Sequence, residues 1–222
     1  METQAIGREQ LAVRAMRFVM TGSLAEGIAG GAAVALAIIG LANILPEILL
    51  AIATICIGIA FLFEGGAVAA RFSTLIRETS GGVLDAAEFG LGMTSEIVGG
   101  VAGVALGILA LLGLVPLILV PAAVIVYGGT MIFTSGLASR LNNLEIESST
   151  QNEAVRGVAR EAVSAATGVE LLMGIGVITL GILALVGLVP LVLSLVAVLV
   201  VGVSDFLTGT AVTAKMWNVL RQ

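Results

Sequence analysis

The stretch LGILALLGLVPLILV at residues 106–120 returns almost letter for letter as LGILALVGLVPLVLS at 180–194, and its reading decides the fold. Both copies are apolar throughout and both are interrupted by a Gly-x-x-Pro step, Gly113 to Pro116 and Gly187 to Pro190. Glycine tolerates the left-handed conformation that ends a helix, and proline, which has no N–H to lose, suits the first position of the next. Working outward, the charge-free run around the first copy extends from Ile97 to Ser139, and around the second from Leu171 to Val203. As one helix, either run would far exceed the ~30 Å thickness of a bilayer's hydrocarbon core at about 1.5 Å per residue. Broken at the Gly-x-x-Pro step, each becomes two arms of about 18 residues, long enough to span.

The same spacing appears a third time. Glu26, Gly30, Pro46 and Gly58 recur as Glu96, Gly100, Pro116 and Gly128, and again as Glu170, Gly174, Pro190 and Gly202, with Asn43 standing where the later copies have Gly113 and Gly187. Tandem repetition at this period means one supersecondary unit used three times. The expectation is an all-α integral membrane protein of six transmembrane helices. They form three tandem helical hairpins, each preceded by a cytoplasmic-side interfacial helix, with spans near 26–44, 46–64, 96–114, 116–136, 170–188 and 190–210. Repeat boundaries fall at 1–75, 76–145 and 146–222, together one membrane domain. Lipid leaves no water for unpaired backbone groups, which makes helices the natural form of these arms.

Composition agrees. Of 222 residues 59% are hydrophobic and 11% charged, and the mean hydropathy is +1.15. A soluble domain carries roughly twice that share of charge. The N-terminal stretch mixes Glu2 and Glu9 with Arg8, Arg14 and Arg17 before any long apolar run. That order is foreign to a cleavable signal peptide. Residues 7–22 read instead as an amphipathic surface helix with Leu11, Ala15, Phe18 and Val19 on one side. Segments 72–93 and 152–168 read likewise, and the polar 141–152 reads as a loop. All ten Lys and Arg lie in the termini or the two long linkers. The positive-inside rule then makes both termini and both linkers cytoplasmic, in the cytoplasmic membrane.

Most chemistry is excluded by inventory. Without histidine there is no imidazole base and no His-ligated metal. The single cysteine, Cys56, can form no internal disulfide. A net charge of −5 argues against nucleic acid as a partner. No enzyme, cofactor or metal site is expected. Glycines 27, 31, 99, 103 and 107 form GxxxG steps, which let helices approach closely in lipid. The turn set is Pro46, Gly113, Pro116, Gly187 and Pro190.

The acids are the remaining chemistry. Glu26, Glu96 and Glu170 share one register at the start of spans one, three and five. One reading is a ring of carboxylates about a threefold axis, able to bind a cation or relay protons. The other is helix capping, because Ser23 to Glu26 and Thr167 to Glu170 match the S/T-x-x-E box. Glu64 and Asp205 lie late in second arms, where a carboxylate faces the negative end of the helix dipole. Glu64 could reach Arg71. Asp205 is the first candidate for a functional acid.

The motif G-x-x-x-x-L-G-I-L-A-L-x-G-L-V-P, with a second arm ending in spaced glycines, resembles the short-repeat, six-span membrane proteins of the HdeD type. It covers the hairpins at 96–140 and 170–210, about half the chain; the long helical linkers depart from it. The resemblance implies a bacterial inner-membrane protein with a role in acid stress. On the residues, three functions stay open. The chain is a non-catalytic scaffold or accessory subunit, homo-oligomeric or part of a larger membrane complex; or a small proton or cation channel or transporter using Asp205, Glu64, Glu26, Glu96 and Glu170; or a hairpin wedge that curves the bilayer.

Overall fold

The computed structural model describes the backbone of residues 2–78, 86–149 and 153–220, and side chains over 20–66, 94–136, 161 and 164–214. Six helices account for the described backbone apart from the short turns, and no strand occurs among the described residues: α1 (Glu2–Leu41), α2 (Pro46–Glu78), α3 (Ala86–Leu111), α4 (Pro116–Ser149), α5 (Glu153–Leu185) and α6 (Pro190–Leu220). Each contains an apolar stretch of at least 18 residues, from Met20–Leu41 in α1 to Pro190–Ala214 in α6, long enough to cross a membrane.

The turns show why the helices stop. The first-arm helices end at Leu41, Leu111 and Leu185, three residues earlier than the hydropathy alone suggests. Gly113 and Gly187 adopt φ of 82° and 93°, and Asn43, the best non-glycine substitute, adopts 64°. That left-handed residue lets the chain fold back on its own carbonyls. Gly113 N–H bonds the Ala110 carbonyl at 3.0 Å and Leu114 N–H the Leu109 carbonyl at 3.1 Å; Gly187 and Leu188 repeat the pattern at 3.0 and 3.1 Å. This is a Schellman closure, and it satisfies helix-end carbonyls where no polar side chain is at hand. The residue before each proline, Leu45, Val115 or Val189, is held at φ of 42°, 38° or 40°. Its carbonyl accepts the first bond of the next helix, from Leu49, Leu119 or Leu193.

Beyond the spans the backbone departs from the expected surface helices. Residues 7–22 are continuous with the span of α1, α2 runs on to Glu78, and α4 runs to Ser149 through most of the stretch expected to be a loop. Polar composition at 141–149 does not prevent a helix: Leu141, Leu144, Glu145 and Glu147 are ordinary helix formers, and the stretch has no glycine or proline. Residues 79–85, within the expected surface helix 72–93, and residues 150–152, at the end of the expected loop, lie outside the described residues. So do the side chains of 7–19, 72–93 and 152–160, on which the amphipathic readings rest.

Every helix packs against its neighbours in sequence, and α6 packs against α1, so the circuit closes. The even helices α2, α4 and α6 also touch one another and form the inside of the bundle. The circuit is pinned at three glycine crossings. A Cβ added to Gly58 would meet the Gly100 carbonyl at 2.8 Å, one on Gly128 the Gly174 carbonyl at 2.7 Å, and one on Gly30 the Gly202 carbonyl at 2.8 Å. The same marker residues of the repeat thus hold α2 to α3, α4 to α5, and α6 to α1. Small residues permit this approach and the dispersion contacts that come with it. The GxxxG positions are used within the chain: Gly27 lies against Gly209, Gly31 against Phe206, Gly99 against Thr130, Gly103 against Tyr127 and Gly107 against Ile55.

The core runs along the inner helices through Leu50, Ala53, Ile57, Val120, Ala123, Val124, Leu195, Ala197, Val198 and Val201, all buried. Tyr127 fills its middle, edge-on to Phe61 with ring centroids 5.2 Å apart. Its hydroxyl donates to the Thr54 carbonyl at 2.5 Å, a bond between α4 and α2 deep in the bundle.

Candidate functional site

Six acids belong to the spans; Glu47 stands in the first turn of α2, and the other five, Glu26, Glu64, Glu96, Glu170 and Asp205, lie away from helix ends. Glu26 lies well inside α1, Glu96 ten residues into α3 and Glu170 well inside α5. The capping reading is therefore overturned: with helix already formed on the N-terminal side, there is no free cap amide for these carboxylates to close upon. The expected conflict of Glu64 and Asp205 with a helix C-terminus goes the same way, since α2 continues to Glu78 and α6 to Leu220.

What remains is burial. Glu26 is 3% exposed, Glu96 2% and Asp205 5%, while Glu64 and Glu170 are half-buried. The glycine packing accounts for it. Gly65 of α2 lies against Glu96, and Gly30 of α1 lies against Asp205, so each acid is pressed onto a neighbouring backbone. Glu96 Oε2 and Asp205 Oδ2 find no hydrogen-bond partner among the described residues.

Four of the acids converge. Glu96 on α3 lies within electrostatic reach of Glu64 on α2 and Glu170 on α5. Asp205 on α6 lies within reach of the same Glu64 and Glu170. Four helices thus bring carboxylates within electrostatic reach at the linker end of the bundle. Glu26 occupies the equivalent register on α1. No Lys or Arg belongs to any of the six spans, so within the spans these acids have no basic counterpart. Arg71, the expected partner of Glu64, lies outside the described side chains. Among the described residues no three acid or thiol groups come together closely enough to share a metal ion.

On the turn side of the cluster the bundle is closed by side chains. Phe61 and Met131 share the repeat register of Asp205, and one turn farther Ile57, Tyr127 and Val201 fill the cross-section. Asp205 is also within electrostatic reach of the Tyr127 hydroxyl. Of the hydroxyls near Asp205, Thr210 bonds back to the Phe206 carbonyl at 2.7 Å, as a helix-interior threonine does.

Tyr127, Thr54 and Ser194 were not singled out as site residues by sequence reasoning. The signal was available in the repeat: each is a polar residue at a register where the other two copies are apolar.

Six apolar spans of this length define an integral membrane protein in contact with the lipid bilayer. No protein-family model, curated protein or solved structure matches the chain.

Proposed function

We propose that this is a proton-handling membrane protein, in which the cluster of Glu64, Glu96, Glu170 and Asp205 takes up and releases protons at the linker side of the bilayer. One observation carries the reading. Glu96 and Asp205 are buried in mid-helix, in spans without a Lys or Arg, each with an unbonded oxygen, and both within reach of two further carboxylates. Charged side chains at membrane depth cost on the order of 2.5–3.5 kcal/mol on insertion scales, and retained ones mark ion or proton pathways. Neighbouring carboxylates out of water repel, and a bound proton on one of them relieves the repulsion. A proton also needs no coordination shell and no open pore, which suits a bundle filled by Tyr127 and Phe61. The resemblance to HdeD-type proteins, which implies a role in acid stress, is consistent with such a site.

The architecture around it follows from the repeat: three hairpins in one orientation, related by an axis along the membrane normal, with their turns on one face. The positive-inside rule puts both termini and the basic linker-side extensions in the cytoplasm and the chain in the cytoplasmic membrane. Spans of 18 to 25 residues do not favour a re-entrant wedge.

Infrared difference spectroscopy in liposomes after a pH step tests the reading. The expected result is a protonated-carboxyl band that weakens in Glu96→Gln and again in Asp205→Asn. A spectrum without such a band, or one unaltered in both variants, would sink it.

A scaffold or accessory-subunit role, in a homo-oligomer or larger complex, has its own support. An open groove of about 510 Å³ runs between α1 and α6, lined by Leu24, Gly27, Ile28, Phe206 and Gly209. Small residues beside an apolar cleft suit a further transmembrane helix. Native mass spectrometry from detergent showing a lone monomer would count against this role.

A further inference from the structure

The inner helices stack in layers along the bundle axis, and the repeat register identifies the members of each. From the turn side they are Glu47, Leu117 and Leu191; Leu50, Val120 and Ser194; Thr54, Val124 and Val198; Ile57, Tyr127 and Val201; then Phe61, Met131 and Asp205. From the second layer inward every member is buried, and the first lines a small dimple together with Leu50, Val120 and Ser194. Each layer holds one polar side chain and two apolar ones. The polar member moves from α2 to α6 to α2 to α4 to α6.

An apolar core gains nothing from a polar side chain in each layer. Burying one costs free energy unless it is bonded, and Ser194 Oγ is fully buried with no hydrogen-bond partner among the described residues. Of the others, Tyr127 bonds across helices and Thr54 bonds back within its own helix. Tyr127 Oη reaches the Thr54 carbonyl at 2.5 Å, and Thr54 Oγ1 reaches the Leu50 carbonyl at 2.8 Å, one layer nearer Ser194. Asp205 lies within electrostatic reach of Tyr127. At the far end Glu47 is exposed beside the dimple that Ser194 lines.

We infer that Asp205, Tyr127, Thr54, Ser194 and Glu47 form a proton line through the bundle, joining the carboxylate cluster to the turn-side face. This rests on the proposed proton exchange at the cluster and adds a direction to it. Layers are about 5 Å apart. The Tyr127 and Thr54 hydroxyls donate to backbone carbonyls, which relay no proton, so the line requires each hydroxyl to turn to the next or a single water to enter between layers. A proton passing from the Asp205 carboxylic acid to the Tyr127 oxygen releases the phenolic proton toward Thr54. Thr54 releases its own toward Ser194, and Ser194 toward the Glu47 carboxylate. Each hydroxyl ends with the proton count it began with; Asp205 has become a carboxylate and Glu47 a carboxylic acid. The reverse sequence moves a proton the other way.

The test uses the full chain in liposomes with a trapped pH dye, under a potassium diffusion potential. The variants are Tyr127→Phe, Thr54→Val and Ser194→Val. The last two install the residue that another repeat already has in the same layer, and the first keeps the ring against Phe61. Size-exclusion profiles and helix content confirm folding. Wild type is expected to conduct protons, and each variant to slow the flux at least tenfold. Wild-type flux in any one variant overturns a line that needs every layer. If wild type carries no flux while infrared spectra still show carboxyl protonation, the line falls and the cluster reading stands. If the carboxyl band is also missing, both fall.

Discussion

The glycine crossings at Gly58, Gly128 and Gly202 divide the bundle into two unlike halves. On the turn side, Ile, Leu, Val and Ala pack without a charge until Glu47, and the backbone is closed by Schellman turns. On the linker side, carboxylates on four helices lie within electrostatic reach of Glu64 and Glu170. Both halves are held by the same glycine contacts, so packing geometry does not separate them. The difference lies in what the side chains ask of their surroundings. The turn-side half is specified by shape, and the linker-side half by the treatment of charge.

Substitutions can sharpen that contrast. The largest effect is expected at the boundary, where a side chain on Gly128 collides with the Gly174 carbonyl while neighbouring Gly129 has nothing within 4 Å of its added Cβ. Gly128→Val should prevent a stable fold, a loss above about 4 kcal/mol, the level reserved for overpacked cores. Gly129→Ala should be neutral, or stabilising by about 0.5–1 kcal/mol, because helix propensity improves. Thermal unfolding in detergent followed by circular dichroism reads both, and equal behaviour of the pair would refute the crossing.

Next come the turns. Gly113→Val puts a β-branched residue at φ 82° and is expected to cost about 1–2 kcal/mol. Asn43→Gly, at φ 64°, is expected to change stability by less than about 0.5 kcal/mol. Melting curves that fail to separate the two would show that the turns relax at little cost. In the middle of the axis, Tyr127→Phe removes one buried bond to Thr54 and should lower stability by about 0.5–1.5 kcal/mol. The smallest effects belong to the linker-side half. Asp205→Asn and Glu96→Gln keep shape and remove a buried charge, and are expected to leave the melting point unchanged or raise it. A loss comparable to that of Gly128→Val would make the acids structural and dissolve the contrast.

Much of this could be read from the chain. Gly-x-x-Pro located the turns, because lipid offers no other way to end two apolar arms. The repeat markers Gly30, Gly58, Gly100, Gly128, Gly174 and Gly202 stood out by spacing alone, before their pairing across helices gave the spacing a reason. Other features were hidden for physical causes. A helix in lipid is apolar on every side, so no amphipathic stripe marks α2, α4 and α6 as the inner three. The S/T-x-x-E pattern at Glu26 and Glu170 has the composition of a cap, and only the continuous helix before it shows that nothing is capped. Tyr127 is an axial residue whose role depends on neighbours from other repeats. Asp205 was marked by its chemistry; its company, Glu64, Glu96 and Glu170, required three-dimensional proximity.

The crossing of Gly202 with Gly30 joins the last helix to the first, and this bears on how the molecule is made. Segments are synthesised and inserted in order, N-terminal ones first. The Gly30 face of α1 therefore waits in lipid, through the arrival of four further helices, for the surface it will finally meet. Asp205 follows Gly202 by less than one helical turn, so this buried acid enters the bundle in the same event that completes it. The cluster gains its fourth member at closure, as the final act of assembly.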